Sequence, residues 1–402
     1  MISFFVDPDI CKAETLPSEF YTRDDVFEAS KEWVFGRSWQ WVGHAPTQLP
    51  IPGAVAPVTL LEGLLNEPLL LSRQSNGEVQ CLSNVCTHRG NLLVAEPGKV
   101  RQLVCGYHGR RFDLDGTFRS MPEFDDVEDF PRPCDHLKRF DLKPWAGHLF
   151  TALNPSFSLE GVLQAMEDRI GFLPLDDLKH DPARNRTFEV AGHWALYCDN
   201  FLEGFHIPFV HPDLNAAVDY DQYTTVLFDH CNLQIAHAKG KEDAFDLPQG
   251  HPNDGEDVAA FYFWVFPNMM FNFYPWGLSV NLIEPIAKDK TRVHFRAYVH
   301  DSELLGQGAG GNLDQVEHED EAVVESVQLG IQSRAYTTGR FSPRREQGVH
   351  HFHRLLASAI GQRDLLGGSC DEGKLWGHDQ HGEPFVGGGQ SILNFKFNQK
   401  AR

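Results

Sequence analysis

The period of the hydrophobic positions changes several times along this chain of 402 residues. From Thr22, the residues Val26, Phe27, Ala29 and Trp33 recur at three- and four-residue intervals, which predicts a helix within residues 1–37. Between about 38 and 155 the pattern shifts to short apolar runs such as Pro68-Leu69-Leu70-Leu71 and His148-Leu149-Phe150-Thr151-Ala152-Leu153, separated by Gly, Pro and Asn. That texture predicts a compact β domain. Helical stretches are expected within 158–215. A second strand-rich section follows from about 223 to 300, including Phe261-Tyr262-Phe263-Trp264-Val265-Phe266, Leu278–Ile283 and Arg292–Val299. After the Gly-rich stretch 306–311 a long helix is predicted over about 313–335, and another begins near Gln347. Beyond Gln362 the chain is polar and Gly-rich and reads as an extended tail. The expected architecture is α+β, a small β domain (38–155) set into a larger sheet-and-helix domain (156–361). Residues 1–37 join the larger domain, and 362–402 form an extension.

Composition narrows the function classes. The formal net charge is −21, which disfavours nucleic acid and anionic membrane, since both require clustered Lys and Arg. It suits an enzyme that docks a basic electron donor, or acidity that serves solubility alone. The first residues carry no basic segment followed by an apolar one, so no signal peptide is expected. No stretch approaches roughly 18 uninterrupted apolar residues, so no membrane-spanning helix is expected. The eight cysteines, in such a sequence, read as cytoplasmic thiols and metal ligands rather than a disulfide framework.

Two of those cysteines belong to a metal-binding pattern. Cys86-Thr87-His88 is followed, sixteen residues later, by Cys105-Gly106-Tyr107-His108. Each short loop offers one thiolate and one imidazole. A Rieske [2Fe–2S] centre uses such a set, with two Cys on one iron and two His on the other. Zinc is the alternative, but zinc fingers present Cys-x₂₋₄-Cys and then His-x₃₋₅-His, a different order. Gly90 and Gly106 are expected to provide the tight turns beside the cluster, and Asp113-Leu114-Asp115-Gly116 a turn back into the sheet.

A second pattern reads Asp199-Asn200-Phe201-Leu202-Glu203-Gly204-Phe205-His206-Ile207-Pro208-Phe209-Val210-His211. His206 and His211 would sit about 140° apart on an unbroken helix, so they converge on one metal only if the helix breaks. Pro208 is expected to end or kink it. Glu203 lies one turn before His206, a place for a supporting carboxylate or proton relay. Two His and one carboxylate form the facial set of non-heme iron oxygenases. In the acidic helix after residue 313, Asp320 falls within the apolar stripe Leu313, Val316, Val323, Val324, Val327, Ile331, with Glu317, Glu319, Glu321 and Glu325 to its sides. A buried carboxylate needs a partner, and iron or a salt bridge, for instance to Arg334, would supply one. His193, His230, His237 and His294 are scattered and read as core or surface residues.

Together these motifs resemble the Rieske non-heme iron oxygenases, over about residues 20–357. The resemblance implies a Rieske domain inserted into a helix-grip catalytic domain. It also implies a [2Fe–2S] cluster held by Cys86, His88, Cys105 and His108, and a mononuclear Fe(II) held by His206, His211 and Asp320 with Asn200 nearby. A homotrimeric ring is implied, in which Glu203 bridges one subunit's cluster to its neighbour's iron. The electron donor would be an NAD(P)H-dependent reductase or a ferredoxin. Glu203, where aromatic-ring dioxygenases carry Asp, together with Glu325–Ser333 and Gly339–Glu346, is similar to the choline, carnitine and betaine monooxygenase branch. Arg110-Arg111 departs from the family's aromatic residue after the cluster loop, which bears on how that loop packs. The expected activity is mono-oxygenation, by hydroxylation or N-demethylation, of a small substrate that bears an ammonium group. The alternatives are the α subunit of a dioxygenase forming cis-diols, and a non-enzymatic electron carrier. Aromatic walls for a cation are sought among Tyr262, Trp264, Phe266, Phe271, Phe273, Tyr274 and Trp276, most of which read equally as core.

Overall fold

The computed structural model describes residues 3–365. It has the expected α+β fold, built on two antiparallel sheets. The first has seven strands in the order Gln40–His44, His148–Ala152, Arg139–Trp145, Val79–Ser83, Glu67–Arg73, Ala54–Leu60 and Gly98–Lys99. Its entering and leaving strands are neighbours, with Gln40 opposite Thr151 and Trp41 opposite Phe150. A three-stranded sheet (Leu103–Val104, Arg111–Phe112, Phe118–Ser120) carries the second Cys/His loop. Leu70, Leu82, Leu103, Phe112 and Leu137 form a small apolar core beneath both loops.

The second sheet has eight strands. Along its main path lie Lys179–His180, Lys290–Val299, Gly277–Ala287, Met269–Tyr274, Val258–Val265, Cys231–Ala238 and Val218–Phe228, and Arg186–Val190 pairs with Lys290–Val299. Period-two alternation divides its many aromatics between two faces. Phe261, Phe263, Phe271 and Phe273 pack into one core with the helix Glu160–Ile170, while Trp264 and Phe266 join the core that includes Trp194 and Phe352. The helices Trp194–Phe201, Leu313–Gly330 and Gln347–Leu365 lie over the catalytic sheet. Asp199 accepts a hydrogen bond from Tyr21 Oη (2.8 Å) and lies 2.9 Å from His353 Nε2, which ties the N-terminal segment to two of these helices.

Several boundaries differ from expectation. The acidic helix ends at Gly330, five residues early, and the last described helix runs to Leu365, past the expected start of the tail. The rest of that tail lies outside the described residues. The acidic helix is also rotated from its predicted phase. Its buried line runs through Glu317, Val324 and Gln328, while Val327 is exposed. The valines carry the stripe on paper, but tertiary contacts choose a neighbouring line in which Glu317 and Gln328 each gain a hydrogen bond from a distant part of the chain. No helix among the described residues is long and apolar enough to cross a membrane.

Candidate metal centres and the cavity beside them

The two Cys/His loops fold alike. Cys86 N donates to Asn91 O (2.8 Å) and Gly90 N to Cys86 O (3.0 Å); Cys105 N donates to Arg110 O (2.8 Å) and Gly109 N to Cys105 O (3.0 Å). Each turn is closed by a glycine in the left-handed region, Gly90 at φ +69° and Gly109 at φ +72°. The second turn therefore depends on Gly109 and not on Gly106. Cys86 and Cys105 are buried with their thiols in contact, and the His88 and His108 rings stand 4.8 Å apart at the rim. Burial opposes ionisation of Cys105, but the amides of Tyr107 and His108 and the Cys86 thiol outweigh it, so its pKa falls. Burial pushes the Cys86 thiol up. His88 Nδ1 is buried without a hydrogen-bond partner. Thiols inside, imidazoles outside and an orphaned ring nitrogen fit a cluster with unlike ends.

Arg110 explains its own departure from the family pattern. It is 2% exposed and pairs with Asp135 at 2.7 Å. Phe112, Phe118 and Phe130 surround its guanidinium at 4.8–5.7 Å. Asp135 O also accepts from Thr87 Oγ1 (2.9 Å) and from Arg110 Nη2 (3.1 Å), so both loops are fastened to one residue.

The second constellation converges as expected, though by a different route. The helix Trp194–Phe201 ends before Glu203, and Pro208 opens the short helix Ile207–Val210 rather than ending one. Proline is at home there, because the first turn of a helix needs no N–H from it. Glu203 sits in the intervening loop, where its carboxylate accepts from the backbone of Phe205 and, at 3.1 Å, of His206. His206 Nε2 and His211 Nε2 are 3.1 Å apart, and Asp320 Oδ1 lies 3.5 Å and 3.0 Å from them. The ligand atoms of all three lie within 4.8 Å of one another, a spacing that could hold one metal ion.

The outer nitrogens are fixed by carboxylates. His206 Nδ1 is 2.6 Å from Glu203 Oε1, and His211 Nδ1 is 2.7 Å from Glu319 Oε2, which is itself steadied by Gln315. This sets both tautomers and turns both Nε2 atoms inward. Glu319 was expected to point aside; the pairing is 108 residues apart in the chain, so no local pattern reveals it. Burial works against a charged His211, but Asp320 and Glu319 outweigh it and its pKa rises. The scattered histidines are engaged elsewhere. His193 is buried among aromatic rings, His230 stacks on Phe157, His237 pairs with Glu256 and His294 bonds Thr187.

A cavity opens beside this triad, and Asn200 and Glu203 line it. Its floor is one cross-strand row, in which Gln234, Tyr262, Asn272 and Ser279 are successive register partners. Of the seven expected wall aromatics, only Tyr262 and Tyr274 line the cavity, joined by Tyr197, Phe201, Tyr223 and Phe295. Trp264, Phe266, Phe271 and Phe273 belong to the cores, and Trp276 lines an adjoining recess. Glu317, one turn before Asp320, is 3% exposed and also lines the cavity, contrary to its expected sideways position. Its Oε2 accepts from Tyr197 Oη, while Oε1 has no partner. Burial pushes its carboxyl well above the usual carboxylate range, with Tyr197 opposing.

Residues 38–131 match the Rieske [2Fe-2S] domain, and 175–362 match the catalytic domain of the ring hydroxylating alpha subunit. The carnitine monooxygenase oxygenase subunit of Escherichia coli (strain K12) is 30% identical over 365 residues, covering 87% of this chain and 94% of that one. The chain belongs to the Rieske non-heme iron oxygenases. It is an oxidoreductase with a [2Fe–2S] cluster and a mononuclear iron. The chloroplastic choline monooxygenase of Amaranthus tricolor is also 30% identical, over 86% of this chain and 78% of its own. A solved quaternary ammonium Rieske monooxygenase, CntA, superposes with a TM-score of 0.71 at 26% identity, covering 89% of this chain and 100% of that one. Naphthalene 1,2-dioxygenase, at 16% identity and TM-score 0.63, shares the fold.

Proposed function

We propose that this oxygenase mono-oxygenates a quaternary ammonium compound at an iron held by His206, His211 and Asp320. The observation that carries the reading is the cavity itself. Tyrosine rings 223, 262 and 274 line the same space onto which the triad opens, and aromatic faces attract quaternary ammonium groups at about 0.5–2 kcal/mol per contact. Relatives named for choline and carnitine support the same substrate class. When bound, the iron supplies oxygen activation and the cluster at Cys86, His88, Cys105 and His108 supplies electrons singly.

The protein's own groups do the rest. Glu203 and Glu319 orient the two imidazoles, Asn200 borders the reacting space, and the tyrosines place the substrate. A homotrimer supports the electron path, with Glu203 between one subunit's cluster and its neighbour's iron. Exposed Leu92, Val104 and Tyr107 near the cluster, and Phe205 and Phe209 near the triad, suit such a ring. An NAD(P)H-dependent reductase or a ferredoxin is the donor. Among the described residues, the five cysteines outside the cluster, Cys11, Cys81, Cys134, Cys198 and Cys231, are free thiols, which fits a cytoplasmic setting.

The test is a single turnover. Chemically reduced holoprotein is mixed with choline or carnitine and ¹⁸O₂, and products are read by mass spectrometry. A product carrying one labelled oxygen atom, or the dealkylated amine, is expected. Failure with every quaternary ammonium tried, alongside cis-diol formation from an aromatic hydrocarbon, would overturn the proposal.

A further inference from the structure

The geometry points to a second small-molecule site, in the cleft between the cluster domain and the catalytic sheet, which takes an organic monocarboxylate with an apolar body and holds its carboxylate on Arg296. The cleft has a volume of about 380 Å³, within the roughly 300–1,000 Å³ of small-ligand sites. Its floor is the reverse face of the sheet that floors the iron-side cavity. Phe295 and Asn281 line that cavity, while their chain neighbours His294, Arg296 and Leu282 line the cleft, as alternation along a strand requires. Tyr298 and its register partner His180 extend the floor. The roof belongs to the cluster domain, where Trp41, Val42, Pro57, Val58 and Leu60 offer an apolar surface.

The charge of the lining fixes the ligand's polar end. Glu284 and Arg296 are the acidic and basic side chains that line the cleft. Glu284 is already matched: Arg292 Nη1 stands 3.3 Å from it, His294 Nε2 3.2 Å, and Glu62 N donates to it at 2.9 Å. Arg296 is not. Its guanidinium donates to the carbonyls of Phe295 (2.9 Å) and Arg186 (3.2 Å) and to His294 Nδ1 (3.1 Å), and no carboxylate pairs with it among the described residues. Burial lowers its pKa, with Tyr298 and Glu284 opposing. A guanidinium stays charged at neutral pH even so, which leaves a half-buried cation without a countercharge. A carboxylate supplies one, in the geometry that the guanidinium fork favours. His44 brings no competing charge, because burial lowers it to about 4. Two hydrogen bonds cross between the domains here, Gln40 Nε2 to Asn268 Oδ1 (3.0 Å) and Glu62 N to Glu284, so an occupant braces the cluster domain against the catalytic sheet.

Calorimetry and thermal melts of the holoprotein with benzoate, and with benzamide as its neutral counterpart of the same shape, test this. Benzoate should bind about tenfold or more tightly than benzamide and raise the melting midpoint. Arg296→Met, which keeps the length and apolar stem of the side chain, should bring benzoate down to the level of benzamide. Arg296→Lys, which keeps the charge, should retain a preference for benzoate. His206→Ala removes an iron ligand on the other face of the sheet and should leave benzoate binding unchanged. No binding by the wild type, or equal binding of the two probes, would overturn the proposal. A preference for benzoate that survives in Arg296→Met, or is lost in His206→Ala, would overturn it too, since the carboxylate would then sit on the iron. Should Arg296→Met fail to fold, the wild-type comparison and His206→Ala still decide. The ammonium reading is unaffected by either result.

Discussion

Asp135 makes a demanding test of how the cluster loops are held. Asp135→Ala removes the partner of Arg110, a guanidinium that is 2% exposed, and the acceptor that Arg132 N uses at 2.7 Å. Breaking a buried ion pair from one side costs about 3–5 kcal/mol, because the remaining charge is left uncompensated. The three phenylalanines around Arg110 offset little of this, since a desolvated cation–π contact contributes only about 2 kcal/mol and is already present in the wild type. The lost stability falls on the two loops, so local opening should become easier by that amount. The rate at which a chelator strips the cluster iron follows that opening. At about 1.4 kcal/mol per tenfold, stripping should accelerate by roughly 10² to 10³·⁵. The double variant Arg110→Leu, Asp135→Ala removes both charges and should recover most of the loss. A rise of less than tenfold in the single variant, or no recovery in the double, would refute the view that the pair fastens the loops.

Two further predictions concern the iron site and acid stability. Glu319→Ala frees His211 Nδ1 and should weaken iron retention by about 10–100-fold, read as iron per chain after dialysis, with the cluster absorbance unchanged. His148 and His193 are fully buried, and burial lowers both to about 3. Their unfolded pKa is about 6.5, so stability is complete above that value and is lost as pH falls from 6.5 toward 3. Between pH 7 and pH 5 the two should together cost about 4 kcal/mol, visible as a shift in urea midpoint. The His193→Asn variant should show about half of it.

The parts of this molecule legible in the sequence are those written in short spacings. Cys86 to His88 and Cys105 to His108 each fit within one loop, so their order alone separates a Rieske centre from a zinc finger. His206 and His211 were readable as a pair that needed a break between them. The position of the break was not, because Pro208 reads equally as a helix stop and a helix start. The acidic helix shows the limit most clearly. A stripe of valines predicts a buried face, but Glu317 and Gln328 took buried places because Tyr197 and the His193 amide were there to bond them. Such pairings span more than a hundred residues and leave no trace in local periodicity. The same holds for Tyr223, whose place in the cavity depends on a bulge in its strand between Asp219 and Thr224.

The pairing of Gln40 with Thr151 has a bearing on ancestry and engineering. A segment whose two ends leave side by side behaves as a cassette. It can be lifted out or exchanged across one short seam, and the strand order of the catalytic sheet is the same before and after. An ancestral oxygen-binding scaffold could therefore acquire its electron supply in a single insertion. A laboratory could replace that supply with one of different potential by cutting at the same seam.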